Sequence, residues 1–215
     1  MRAVQRPLLF PVLIIALALV ISSAGCKKEE PEVKDVKKET ITTKNLQDAR
    51  SSALKRASWY LKFAGQAKKV RQEGTASLFR AIARSEEIRA KVHADLLRSL
   101  NVEPEQVSVD SVEIGTSYQT LKMAVSLESS QVRSIYPNMI RSAESEKLPD
   151  VSAHFTQAQN VDLRHLELLK DAVDRHGQIP QKTYILCSEC GHIMTSGKEA
   201  ECPICHAKKE RFEKL

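Results

Sequence analysis

FTQAQNVDLRHLELLKDA, residues 155–172, decides the fold. Its apolar frame is Phe155, Ala158, Leu169 and Ala172, and Asp162 and His165 fill the gap in that same 3-4 stripe. A stripe of this period is the buried face of an amphipathic helix. A carboxylate and an imidazole at i, i+3 in its middle require a partner, because an uncompensated buried charge is costly. They are either bridged to something or hold a metal.

The frame recurs. Phe79, Ile82, Glu86, Arg89, His93, Leu96 and Leu100 repeat it, with Glu86 and Arg89 at the matching place. Leu46, Ala49, Ala53, Arg56, Tyr60, Phe63 and Ala67 form a third stripe, and Leu121, Ala124, Glu128, Gln131, Ile135 and Met139 a fourth. Leu46 to Leu121 and Ala53 to Glu128 are each 75 apart, whereas Glu86 to Asp162 and Arg89 to His165 are each 76. The chain therefore holds a repeat of two helical hairpins with one inserted residue, and four core stripes predict a four-helix bundle. Residues 101–117, with Pro104 and Gly115, are too polar and broken for a bundle helix and read as a long crossover between the second and third helices. A Thr before Asn45 offers the first N-cap, Gly74 marks the turn into the second helix, Pro137 kinks the third, and Gly177 ends the fourth.

At this point a family resemblance becomes specific. TTKNLQDARSSALKRASWYLKFAGQAKKVRQEGTASLFRAIARSEEIRAKVHADLL resembles the first half of a rubrerythrin, and LKMAVSLESSQVRSIYPNMIRSAE, with Tyr136-Pro137, resembles the second. The resemblance implies an all-α, ferritin-like bundle with a di-iron centre, held by one Glu from each of two helices and a Glu-x-x-His from each of the other two. The matching positions are Ala53, Glu128, Glu86/Arg89 and Asp162/His165, with Gln131 at an additional carboxylate position. One Glu is thus Ala, one His is Arg and one Glu is shortened to Asp. Glu86, Glu128, Asp162 and His165 remain as residual ligand candidates. Tyr60 and Tyr136 match tyrosines that flank the family's site, and ordinary core tyrosines would stand there equally well. The resemblance also implies peroxide reduction and a homo-oligomer.

Near the C-terminus, Cys187-Ser-Glu-Cys190-Gly191 and Cys202-Pro203-Ile-Cys205 are two Cys-x2-Cys knuckles separated by 11 residues. Four thiolates converging from two tight turns make a tetrahedral site for one iron or zinc ion, through Cys187, Cys190, Cys202 and Cys205. Disulfides are the alternative in an oxidising compartment. CxxCG followed by CPxC resembles the rubredoxin-like tail of rubrerythrins and the related zinc ribbons.

The other end reads as targeting. Arg2 and Arg6 precede a 14-residue apolar run, Leu8 to Ile21, short of the roughly 20 that cross a bilayer. Ser22-Ser23-Ala24-Gly25-Cys26 then resembles a bacterial lipoprotein box with Cys26 as the acylated residue. Ser23 stands where Leu is usual, which leaves ordinary signal-peptidase cleavage as the alternative. Residues 27–42 begin with KKEEPEVKDVKKETI, a charged tether without apolar period. The expected organisation is therefore a lipoprotein signal and acylated Cys at 1–26, a tether at 27–42, the bundle at 43–178 and a rubredoxin-like four-cysteine metal domain at 179–215. It predicts a protein anchored by lipid in the bacterial cell envelope and facing the periplasm, on the outer membrane in a Gram-negative cell. The net charge of +6 falls to +4 without Arg2 and Arg6, and no aromatic-studded basic patch accompanies it. That argues against nucleic acid as a partner.

The bundle centre is a charge problem. Glu86, Glu128 and Asp162 aim inward with His165, and Arg56 and Arg89 share their stripes. Arginine keeps its proton, cannot ligate a metal and pairs with carboxylates through its planar fork. Arg89 is expected to neutralise Glu128 and Asp162, giving a salt-bridge network where the family has metals. The competing arrangement keeps one metal on Glu128, Asp162 and His165, with Glu86 bridging. Two functions follow: a redox protein that passes electrons through a tetrathiolate iron to or from an unidentified redox partner, or a non-catalytic bundle with a zinc-ribbon-like binding module. Ala53, Arg89 and Gln131 weigh against peroxide reduction in the bundle itself.

Overall fold

The computed structural model describes residues 40–194 and 196–215. The expected signal segment, Cys26 and nearly all of the expected tether lie outside the described residues. The first helix, α1 (Ile41–Lys69), starts earlier than a Thr cap just before Asn45-Leu46 suggested. Thr40 is the N-cap, because its hydroxyl accepts from Thr43 N at 3.2 Å while Thr43 returns a bond to the Thr40 amide. Glu146, far along the chain, accepts from the next two orphan amides, Ile41 and Thr42, at 2.9 and 3.2 Å.

A short turn with Arg71 at φ 59° leads to α2 (Glu73–Ser99), and the two helices form the first hairpin. Gly74 lies inside the first turn of α2, not in the connection. A Cβ there would collide with the Ile179 carbonyl, so the glycine serves the close approach of the chain leaving the last helix. The crossover then runs along α1: Gln47 donates to Glu103 O at 2.8 Å, Arg50 to Glu105 O at 2.6 Å and Trp59 to Asp110 O at 3.1 Å.

The third helix is broken. α3 (Ser117–Ser130), capped by Thr116, passes through a π turn (Gln131–Ile135) into α4 (Tyr136–Ser145), and α5 (Pro149–Asp174) completes the second hairpin. A π turn closes i to i+5 bonds and so holds an extra residue; here Tyr136 N donates to Gln131 O. This locates the inserted residue of the repeat, since Ala53–Glu128 and Arg56–Gln131 are 75 apart and Tyr60–Tyr136 is 76. Pro137, in the first turn of α4, follows the break.

All four stripes face inward and stack in layers. Tyr60, Phe63, Phe79, Ile82, Leu121 and Leu169 belong to one apolar cluster. Leu46, Leu97, Met139 and Phe155 belong to another. Between them lies a polar layer of Arg56 (beside Ala53), Glu86/Arg89, Glu128/Gln131 and Asp162/His165. The architecture is the ferritin-like bundle that the sequence implied. At its side a small antiparallel sheet, β2-β1-β3, is built from β1 (Ile185–Cys187), β2 (Ile193–Met194) and β3 (Phe212–Lys214). Among the described residues no helix is long and apolar enough to cross a membrane.

Candidate metal centres

The two cysteine knuckles are built alike. Cys187 O accepts from Gly191 N at 2.8 Å, and Cys202 O accepts from His206 N at 2.9 Å. The residue after each second cysteine is left-handed, Gly191 at φ 83° and His206 at φ 58°, which curls the backbone around the sulfurs. Cys187 and Cys205 sulfurs are 3.5 Å apart, Cys190 and Cys202 sulfurs 3.6 Å, and all four lie within 4.8 Å of one another. A tetrahedron with metal–sulfur bonds of about 2.3 Å has sulfurs roughly 3.8 Å apart, so the residues present fit one tetrahedral ion. Hydrogen bonding to the Cys187 and Cys202 sulfurs, then burial, pushes the Cys190 thiol up. Four thiolates this close need a cation among them. None of the four is in a disulfide.

The bundle centre brings together the other candidates. Glu86 from α2, Glu128 from α3 and Asp162 and His165 from α5 are all fully buried, and their ligand atoms lie within 4.8 Å of one another. Two guanidiniums stand among them. Arg56 places Nη2 2.9 Å from Glu86 Oε2 and 3.7 Å from Asp162 Oδ2, with Nε 3.8 Å from Glu128 Oε1. Arg89 places Nη1 3.3 Å from Glu86 Oε1 and Nη2 3.3 Å from Asp162 Oδ2. Arg89 thus neutralises Glu86 and Asp162 rather than Glu128 and Asp162. From its place one turn after Ala53, Arg56 takes Glu128 instead, and Tyr60 donates to the same carboxylate. Tyr136 accepts from Arg89. Both tyrosines are therefore bound into the ion layer.

The electrostatics match these contacts. Burial would raise the Glu128 carboxylate, but His165, Arg56 and Tyr60 hold it well below the usual range. Burial would lower Arg56, yet the charges of Glu86 and Glu128 keep it protonated. Gln131, at the additional carboxylate position, donates to Ser52 Oγ at 3.3 Å. His165 Nδ1 lies 3.6 to 3.8 Å from all three acids. Its Nε2 is 2.9 Å from Ser85 Oγ, which in turn donates to Gly191 O at 2.6 Å. Ser85 joins the two centres, and its position beside Glu86 carried no signal of this, because the contact exists only in the tertiary fold. His93 is buried against His154 at 2.8 Å and lies outside both ligand sets.

With this geometry, similarity to known proteins can be placed. The rubrerythrin family model matches residues 44–173. The chain belongs to the rubrerythrin family. A rubrerythrin of Porphyromonas gingivalis is 29% identical over 196 residues, 87% of this chain and 96% of its own length. A nigerythrin structure in the fully reduced, all-ferrous state superposes with a TM-score of 0.72 at 26% identity, covering 85% of this chain and 91% of that one. The bacterioferritin of Mycobacterium tuberculosis shares the fold, with a TM-score of 0.58 at 16% identity over 62% of this chain and 84% of its own.

A di-iron centre is what the bundle fold would hold, and this rubrerythrin-family bundle departs from that ligand pattern at Ala53 and Arg89. α1 offers no donor at Ala53. Arg89 closes one ligand position with a cation, and the carboxylates that remain are already engaged by Arg56 and Arg89.

Proposed function

We propose that this rubrerythrin-family protein is an envelope-anchored one-electron carrier whose redox centre is iron held by Cys187, Cys190, Cys202 and Cys205, and whose bundle centre is an ion network in place of a di-iron site. The four sulfurs at tetrahedral spacing carry this reading. The all-ferrous state of the nigerythrin neighbour supports iron in the family's metal sites. An iron–tetrathiolate supplies one-electron exchange between ferrous and ferric states. Burial of Cys187, Cys190 and Cys202 keeps water from three of the thiolates, and partly exposed Cys205 offers the side at which a redox partner approaches. Arg56 and Arg89 pair with the bundle acids, so the bundle shields the module without reducing peroxide.

The anchored location rests on the apolar run and Cys26, and the family resemblance supports a homo-oligomer. Because a tetrahedral sulfur site suits zinc equally, the second reading is a zinc-bearing module on a structural bundle. Metal content and visible absorption of protein purified from a bacterial host under native expression separate them. One iron per chain with reversible bleaching on reduction supports the electron carrier. One zinc and no colour overturns it in favour of the second reading, and three irons per chain overturn the ion-network account. Mass spectrometry of the mature N-terminus tests the anchor: a diacylglycerol-bearing Cys26 supports it, and an unmodified N-terminus elsewhere refutes it.

A further inference from the structure

Two of the bundle residues that touch the four-cysteine module stand directly before residues of the ion layer. Ser85 precedes Glu86 on α2, and Val161 precedes Asp162 on α5. Both are fully buried. Val161 owes its burial to the module, packing in one cluster with Cys187, Cys190, Met194 and Cys202. The Ser85 hydroxyl donates to Gly191 O at 2.6 Å, so at 2.9 Å it receives the Nε2 hydrogen of His165. Around this joint, Arg164 on α5 donates to Ile193 O at 3.3 Å, and Arg84 on α2 grips Glu213 of β3 at 2.8 and 3.2 Å. Gly191 follows Cys190, and its carbonyl is aimed by the knuckle that a bound ion would hold in shape. A Cβ on Gly191 would sit 2.8 Å from both Ser85 O and Ser85 Oγ, so the two surfaces meet with no room to spare.

From these contacts we infer that the metal-bound four-cysteine module is a lid on the bundle, latched by Ser85 between Gly191 and His165, and that loss of the metal opens the buried ion layer to solvent. Without an ion the knuckle has nothing to fix its turn, and structural metal sites contribute folding free energy outright. Undocking would leave His165 without its Nε2 acceptor and expose Val161 beside Asp162. Metal occupancy at the sulfurs is thereby transmitted to a cluster that ligates no part of that metal. The inference rests on the proposed function only in that the thiolates bind an ion, and it holds for iron or zinc alike.

Hydrogen exchange on the full chain tests it, comparing zinc-loaded protein with protein stripped by chelator under reductant. Amides of 81–90 and 158–168 should exchange at least tenfold faster in the stripped chain, while those of 45–50 and 139–145 change less than twofold. Equal protection of 81–90 and 158–168 in the two forms overturns the lid. Ser85→Ala loaded with zinc should show the same local acceleration while still holding one zinc; wild-type protection in that variant overturns the latch. If Ser85→Ala loses its helicity, Gly191→Ala serves instead, since the added methyl blocks docking from the module side, and unchanged protection there is again fatal. Metal counting separates the two ideas. A chain that takes up no ion at the sulfurs overturns the proposed function together with the lid, whereas normal uptake with unchanged exchange overturns the lid alone.

Discussion

Arg89→Leu is the substitution that interrogates the bundle centre most directly. It keeps an apolar stem of similar length and removes a guanidinium that is 1% exposed and faces two fully buried acids. Arg56 remains, so three carboxylates confront one guanidinium and Asp162 loses its closest partner. Breaking a buried pair by deleting one member costs about 3–5 kcal/mol, since the surviving charge has no water to return to. With a urea m-value of about 2 kcal/mol per molar, the unfolding midpoint should fall by roughly 2 M. Urea titration of the metal-loaded chain, followed by far-UV circular dichroism, reads this shift. A second measurement guards against a mere packing defect. Arg89→Leu with Asp162→Asn removes the stranded charge as well, and the pair should be about 1–3 kcal/mol more stable than the sum of the two single effects.

The pH dependence gives a further check with a definite sign. A buried carboxylate that loses its cation has a folded pKa above its unfolded value, so the native variant binds protons first as pH falls. Its deficit relative to wild type should narrow between about pH 8 and 5. A midpoint shift below roughly 0.5 M, about 1 kcal/mol at that m-value, or a deficit that widens on acidification, would refute the ion-network account.

Cys190→Ser should abolish the module's metal and release residues beyond about 180 to rapid proteolysis; an unchanged metal-to-protein ratio would remove the four-cysteine assignment. Burial and neighbouring cations hold His93 and His154 below the ordinary histidine range, His154 at about 4. Their depressed pKa values make the stability they support complete above about pH 6.5 and progressively lost toward pH 4. His154→Gln should flatten that acid limb by about 3 kcal/mol, and identical limbs in variant and wild type would exclude the pair as its source. Ala53→Glu with Arg89→His restores two family-pattern donors and should let the bundle of the Cys190→Ser chain bind iron; no bound iron would show that Arg56 alone suffices to keep metal out.

Much of this was legible because burial forces periodicity. A helix that faces a core must repeat its apolar residues every three or four positions, so four stripes named four helices, and the acids and arginines interrupting them named the polar layer. The π turn was half legible: the offset of 75 against 76 announced an inserted residue, and the structure places it between Gln131 and Tyr136. Other features were hidden for physical reasons. Thr40, Thr42 and Thr43 are equal as N-cap candidates until the Glu146 carboxylate fixes which amides open the helix. The partners of Arg89 depend on how far α5 stands from α2, a tertiary quantity with no sequence period. Ser85 is the extreme case, being a small polar residue whose role is set by a glycine 106 positions away.

The charge balance explains why the departures from the family pattern occur together. Glu86, Glu128 and Asp162 against Arg56 and Arg89 leave one negative charge. Two divalent ions added to that layer would carry it from −1 to +3 between two apolar clusters, where unbalanced charge is strongly penalised. An Ala at position 53 without the arginines would leave a ligand short and the remaining acids unpaired whenever metal was absent. The arginines without that Ala would face a fourth acid and a net −2. Only the combination gives a centre that is close to neutral in the absence of metal, which is the balance that the proposed ion network requires.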